Sequence, residues 1–281
     1  MPIRTPQSVK EVPSLSEADI ELAYAAAQAV VQTHHRLADW LRVGMTLAQI
    51  DRFIADQLLD LQCRSCFLHY KVPRLPPFPS HACLSLNDCV VHGTAGYCTR
   101  PLIKGDVLKI DIGVWRRNWV GDAGWTYAFG EVSPEVRRLM ESGKESLRRG
   151  VKELRPGRLL IEWARTVQTC VEKEYGFHLV RGLGGHGYGK KLHEKPFVSN
   201  VVPTESGEWP EAFEYLRPGM LIAVEPMIGM TTAATRSESR RWPVYIADGS
   251  MSVHYEHDVL ITPAGPRVLT EGMENLPDIV G

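Results

Sequence analysis

The chain has 281 residues, 44% hydrophobic and 23% charged, with a formal net charge of −1, an ordinary globular composition long enough for a sizeable core. Near-neutral charge gives no bulk attraction to nucleic acid or to a membrane surface, and no run reaches the length of a membrane span. The opening MPIRTPQSVKEVPSLSE lacks the apolar core of a secretion signal, so a cytoplasmic protein is expected. Six cysteines, at 63, 66, 83, 89, 98 and 170, follow no regular framework, and Cys63-Arg-Ser-Cys66 has no second CxxC and reads as buried thiols.

In chain order, residues 1–14, with three prolines, read as a tail, and residues 15–281 as one domain. Ser16-Glu17-Ala18-Asp19 resembles a capping box, and Ala23, Ala27, Val30, Leu37 and Leu41 keep helical spacing to about Arg42. Thr46 opens a second helix with the apolar face Ile50, Phe53, Ile54, Leu58 and Leu61. Pro73, Pro76, Pro77 and Pro79 exclude helix between Val72 and Ser80, and a β-prone run follows from Ala82 to Val91. Next comes LKIDIGVWRRNWVGDAGWTYAFG, Leu108 to Gly130, whose first part alternates apolar and polar residues with the period of a strand. A reversal at Arg116-Arg117 would set Asp111 opposite Asp122. Like charges so placed repel, so the pair must be solvated, share a proton or hold a cation. Ser133-Pro134-Glu135 then caps the first of two helices, at about 134–153 and 160–175.

Two matches at nearly one offset expose an internal repeat. Leu41-Arg42-Val43-Gly44 recurs as Leu154-Arg155-Pro156-Gly157, and the segment Lys104 to Asp111 recurs as Pro218 to Glu225. Two related halves are expected, roughly 15–130 and 131–270, each with two helices and then strands, and Asp111 and Glu225 equivalent. The second half adds His186 in GHG, His193 in LHE and Glu256 in YEH. Glu256 lies in a β-rich run, Ser252 to Ile261, suited to pairing with Leu221 to Ile228. Four carboxylates converging with an imidazole need cations to offset their repulsion. Oxygen-rich ligation with one imidazole suits two ions of Mn, Fe or Co and leaves zinc open. Such a pair holds a bridging water as hydroxide near neutral pH and polarises a carbonyl, which points to hydrolysis.

Asp111 with Asp122, His186 in GHG, Glu225 in VEPM and Glu256 in YEH resemble the five-ligand set of the type I methionine aminopeptidases, from about residue 15 to 270. The resemblance implies the pita-bread α+β fold, two pseudo-symmetric halves of antiparallel sheet and flanking helices around a dinuclear site. It assigns one metal to Asp111 and Asp122 and the other to His186, Glu225 and Asp122, with Glu256 bridging. Glu225 would also shuttle a proton. His92 matches the family histidine near the substrate's amino end, and His193 the one that contacts the scissile carbonyl. Cys83 and Trp242 match pocket positions, Phe78 stands where the family often has Tyr, and Leu192 where an aromatic is usual. Pro73 to Pro77 lengthen a shorter family segment, with Phe67 or Tyr70 as pocket candidates. The implied reaction is removal of the initiator methionine from nascent proteins and peptides with a small second residue.

Two other readings compete. A proline-directed relative of the same fold, an Xaa-Pro aminopeptidase or prolidase, usually carries a separate N-terminal domain, for which residues before 15 leave no room. A non-catalytic binding protein of the fold would lack at least one ligand, whereas all five are present. Arg137-Arg138, Lys144, Arg148-Arg149 and Lys152 make one helix basic, suited to transient contact with the ribosome, though interleaved glutamates dilute it. A monomer is expected, with no membrane and no specific nucleic-acid partner.

Overall fold

The computed structural model describes residues 15–281, and the tail expected over 1–14 lies outside the described residues. Helix α1 (Glu17–Trp40) opens with the capping box on Ser16 and Asp19, and α2 (Leu47–Asp60) with a second one on Thr46 and Gln49. In each, two orphan backbone N–H groups find side-chain acceptors. Helix α3 spans Pro134–Val151, with Ser133 as N-cap. Helix α4 is shorter than expected, Ile161–Gln168, and continues as a wide π turn over Thr169–Tyr175.

Each half is built on one of two five-stranded sheets. The first is built on the hairpin Val107–Arg116 with Trp119–Phe129, flanked by Arg64–Ser65 and Cys83–Leu86. The second runs Gly265–Val268, His257–Thr262, Leu221–Val224, Gly184–Gly187, Glu194–Ser199. Ile279–Val280 crosses back and pairs in parallel with Ala128–Phe129 of the first sheet. The repeat is visible in the backbone: Gly105 and Gly219 precede equivalent strands with φ of +90° and +92°, a conformation costly for any residue with a Cβ. No helix among the described residues is long and apolar enough to cross a membrane.

The hairpin register differs from expectation. Arg116 pairs with Trp119, so the turn is Arg117-Asn118, and both residues have positive φ, 50° and 67°. That is the type I′ geometry whose twist suits a two-residue hairpin, and Asn tolerates it well. A reversal one residue earlier would have left Asn118 in a strand. Asp111 therefore faces Gly124 and Asp122 faces Gly113. A shift of two residues keeps every side chain on its face, so the aspartates remain diagonal neighbours on one surface, each opposite a glycine.

Leu108, Ile110, Ile112 and Val114 are fully buried, each contributing roughly 1.5–3 kcal/mol through burial. Helix α1 covers the hairpin on the face away from the aspartates. Its His34 contacts the Tyr127 hydroxyl at 2.9 Å, and Ala26 and Ala27 lie directly on Gly121, where a Cβ would stand 2.4 Å from the Ala26 carbonyl carbon. The helix can therefore come this close only because position 121 has no side chain. The basic face of α3 is largely met within the molecule, Lys144 by Asp278, Arg148 and Arg149 by Glu145, and Arg149 also by Glu174. Gly121→Ala should push α1 off the hairpin and lower stability by about 3 kcal/mol, the upper range for overpacking, measurable as a reduced urea midpoint with little change in slope.

Candidate metal centre

The two halves meet where the strands carrying Asp122 and Glu256 cross, and backbone hydrogen bonds fix the crossing. The Glu256 N–H donates to Gly124 O at 2.8 Å, and the Asp122 N–H donates to Asp258 Oδ2 at 2.8 Å. Thr126 donates its hydroxyl to His254 O at 2.7 Å and accepts the His254 N–H at 3.1 Å. In the second half the expected single pairing of Ser252–Ile261 with Leu221–Ile228 is interrupted. Ser252–His254 pairs with Met227–Gly229 and His257–Thr262 with Leu221–Val224, and Glu225 and Glu256 occupy the break, where Pro226 cannot donate to a ladder. Asn200 Nδ2 donates to Glu225 O at 2.9 Å and holds that backbone in place.

All eleven residues singled out from the sequence line one cavity of about 500 Å³, namely Phe78, Cys83, His92, Asp111, Asp122, His186, Leu192, His193, Glu225, Trp242 and Glu256. His186 Nε2 lies 3.8 Å from Asp122 Oδ2 and 3.9 Å from Glu225 Oε1. Its Nδ1 meets Gly187 O at 3.1 Å, and a carbonyl can only accept. The proton is therefore on Nδ1, and Nε2 presents a lone pair to the carboxylates, the tautomer that metal ligation requires.

Asp122 and Glu256 are buried and Asp111 and Glu225 half-buried, at a cost that no lysine or arginine among the described residues offsets. Burial first, and then the charge of Glu225, push the Asp111 carboxyl up to about 7 against the pull of His254. Burial and the neighbouring Asp111 raise Asp122 well above the carboxylate range, and burial with Asp122 and Glu225 does the same to Glu256. Asp111 Oδ1 and Asp122 Oδ1 find no hydrogen-bond partner among the described residues. Among the described residues, histidines alone stand within ion-pair distance of Asp122, Glu225 and Glu256. Asp122, His186 and Glu256 offer ligand atoms within 4.8 Å of one another. Orphaned oxygens, a prepared imidazole and uncompensated charge fit a site for cations.

Around this cluster the cavity wall is apolar and aromatic. Cys83 stands opposite Asp111 in register, and Phe78 packs edge-on against both Phe67 and Trp242. The proline-rich segment closes on itself through His69 N–H to Phe78 O and Phe78 N–H to Tyr70 O, at 2.8 and 2.9 Å. Its Pro76 carbonyl accepts the Trp242 indole N–H at 2.9 Å. Tyr70 and Phe67 both line the cavity, and the Tyr70 hydroxyl lies 2.6 Å from His193 Nδ1. His92 adopts a left-handed backbone, φ 58°, uncommon outside glycine and concentrated at functional sites. Burial lowers both His92 and His193 to about 4, so both rings are neutral at pH 7.

Sequence reasoning passed over His254 and Asp258. With Glu256 they alternate in HYEHD, the period that puts residues on one side of an extended chain, and that alternation was the available signal. Asp258 supports the Asp122 backbone, and the His254 ring reaches Glu225 and Glu256 at 3.1 and 3.9 Å.

Comparison with known proteins agrees with this geometry. Metallopeptidase family M24 matches residues 21–263. The methionine aminopeptidase of Aquifex aeolicus is 34% identical over 261 residues, covering 91% of this chain and 97% of that protein. The crystal structure of methionine aminopeptidase from Rickettsia prowazekii superposes with a TM-score of 0.84 at 28% identity, over 92% of this chain and all of the other. The X-Pro aminopeptidase of Thermotoga maritima shares the fold alone, with a TM-score of 0.70 at 20% identity, and this chain spans 63% of it. With the α+β pita-bread architecture and a cluster suited to cations in place, the chain belongs to metallopeptidase family M24.

Proposed function

We propose that this protein is a methionine aminopeptidase, removing the N-terminal methionine from nascent proteins and peptides whose second residue is small. The observation that carries the reading is that the carboxylate cluster, paired with no lysine or arginine among the described residues, lines a largely apolar cavity of about 500 Å³. Asp111, Asp122, His186, Glu225 and Glu256 would hold two divalent ions, Mn, Fe or Co by donor chemistry with zinc open. When bound, the metals supply an activated water and a Lewis acid for the scissile carbonyl. Names and extents of the relatives favour this reading over a proline-directed one, since the X-Pro likeness extends over under two thirds of that protein.

The chain's own residues divide the remaining work. Glu225 takes the proton of the attacking water and passes it to the leaving amine. Tyr70, whose hydroxyl burial keeps protonated, donates to His193 Nδ1, which leaves the ring proton on Nε2 as a donor toward the carbonyl oxygen. His92, neutral and stacked edge-on to Trp242, faces the substrate's amino end. Phe78, Cys83, Leu192 and Trp242 bind the methionine side chain, with thiol and aromatic surfaces suited to a thioether. Residues 15–281 act as one catalytic unit, a monomer placed in the cytoplasm, where its six free cysteines stay reduced. Ribosome contact through α3 would rest chiefly on Arg137 and Lys152.

Metal-stripped protein should regain activity on Met-Ala-Ser peptide when Mn, Fe, Co or Zn is restored, releasing methionine. Release of alanine from Ala-Pro-Ala instead would favour the proline-directed reading, and silence with every metal the binding-protein reading. Glu225→Ala should lower turnover at least about a hundredfold, whereas Cys83→Ala should chiefly raise KM. Near-normal turnover in Glu225→Ala would overturn the proton-shuttle role. The metal-free protein should also show a pH signature. A carboxyl raised from its ordinary ~4 to about 7, as at Asp111, contributes stability that is complete below the ordinary value and lost as pH climbs through the raised one. The gain in melting temperature on adding metal should therefore be larger at about pH 8 than at about pH 5.5, a comparison open to scanning calorimetry.

A further inference from the structure

A second imidazole enters the carboxylate cluster from the side of Asp111. His254 is 2% exposed, and its Nε2 stands 3.1 Å from Glu225 Oε2 and 3.9 Å from Glu256 Oε2. Despite this proximity Nε2 makes no hydrogen bond among the described residues. The Glu225 oxygen is near enough to accept one but does not lie in the right direction. A buried ring nitrogen close to two carboxylates and bonded to neither calls for a further partner.

The surroundings fix the ring there. Thr126 clamps the His254 backbone at both N–H and C=O. Gly124 provides the space: a Cβ at that position would lie 3.0 Å from His254 Cε1, 3.2 Å from Nδ1 and 3.4 Å from Asp111 Cβ. Any larger residue opposite Asp111 would crowd the ring. The ligand atoms of Glu225, His254 and Glu256 all lie within 4.8 Å of one another, as do those of Asp122, His186 and Glu256. The two triads share Glu256 and have one imidazole each.

We infer that His254 is a protein ligand of the second metal ion, so that each ion of the centre takes one imidazole, His186 on one side and His254 on the other. The reading of a dinuclear metallopeptidase underlies this assignment. A hydrogen-bonding role toward Glu225 would need the N–H directed at that oxygen, and a space-filling role gives no reason for a polar nitrogen to face two carboxylates. Replacing an all-oxygen donor set by one with an imidazole moves the second site's preference from Mn toward Fe, Co and Zn.

The test compares wild type with His254→Gln, which keeps volume and polarity, and with His254→Ala. The metal-free proteins are first matched by circular dichroism, then titrated with Zn and Co by calorimetry with a competing chelator. Wild type should bind two ions. Both variants should keep the first affinity and lose about a hundredfold or more at the second site, at or beyond the upper range for indirect effects of outer-shell residues. X-ray absorption of the fully zinc-loaded proteins decides between ligation and indirect support. The imidazole count should fall from about one per zinc in wild type to about half that in His254→Gln, as expected when one of two histidine ligands is removed. Two ions bound with unchanged affinities and an unchanged imidazole count would overturn the His254 assignment and leave the dinuclear reading standing. A wild-type protein that takes a single ion would overturn both.

Discussion

Mutual repulsion among buried carboxylates is the constraint on which this structure turns. Asp111 and Asp122 come from two paired strands and Glu225 and Glu256 from breaks between strands, and no lysine or arginine among the described residues pairs with them. Folding alone would not favour such a cluster, because burial and like charge both oppose ionisation. It persists because the rest of the molecule over-determines it. Hydrogen bonds through Gly124, Asp258 and Thr126 tie the first sheet to the second half, and helix α1 covers the sheet's other face. The energy spent on keeping acids close is available to whatever cation they receive.

Much of this was legible in the chain because it is written in residue type and order. Capping boxes at Ser16 and Thr46, the Pro-excluded helix at 72–80 and the repeat that equates Asp111 with Glu225 all depend on local chemistry or on internal comparison. Register was not legible to the same degree. Reversing the hairpin at Arg116-Arg117 or at Arg117-Asn118 preserves the faces of every residue, and only the preference of Asn118 for a left-handed backbone separates them. The consequence is specific: the aspartates oppose glycines instead of each other, which makes room for Phe67 beside Gly113 and His254 beside Gly124.

His254 and Asp258 were missed for a different reason. In a strand, a polar residue of the right parity is ordinarily a solvated one, and nothing in HYEHD by itself says that both faces are covered. Their burial follows from the meeting of the two halves, a tertiary event with no local signature. The end of α4 is similar: its change to a π turn over Thr169–Tyr175 is a departure of backbone hydrogen bonding that periodicity does not announce.

The self-closed loop from His69 to Phe78 ties the aromatic wall of the cavity to the histidines beside the acids. Its base is pinned by its own backbone, and its Pro76 carbonyl orients Trp242, which lies 166 positions further along the chain. Part of the cavity wall is thus set by a loop, while the acids are set by the strands and strand ends of the two halves. A replacement in this loop would therefore reach both the aromatic wall and the histidines beside the acids, because Tyr70 belongs to the same loop and its hydroxyl lies 2.6 Å from His193 Nδ1.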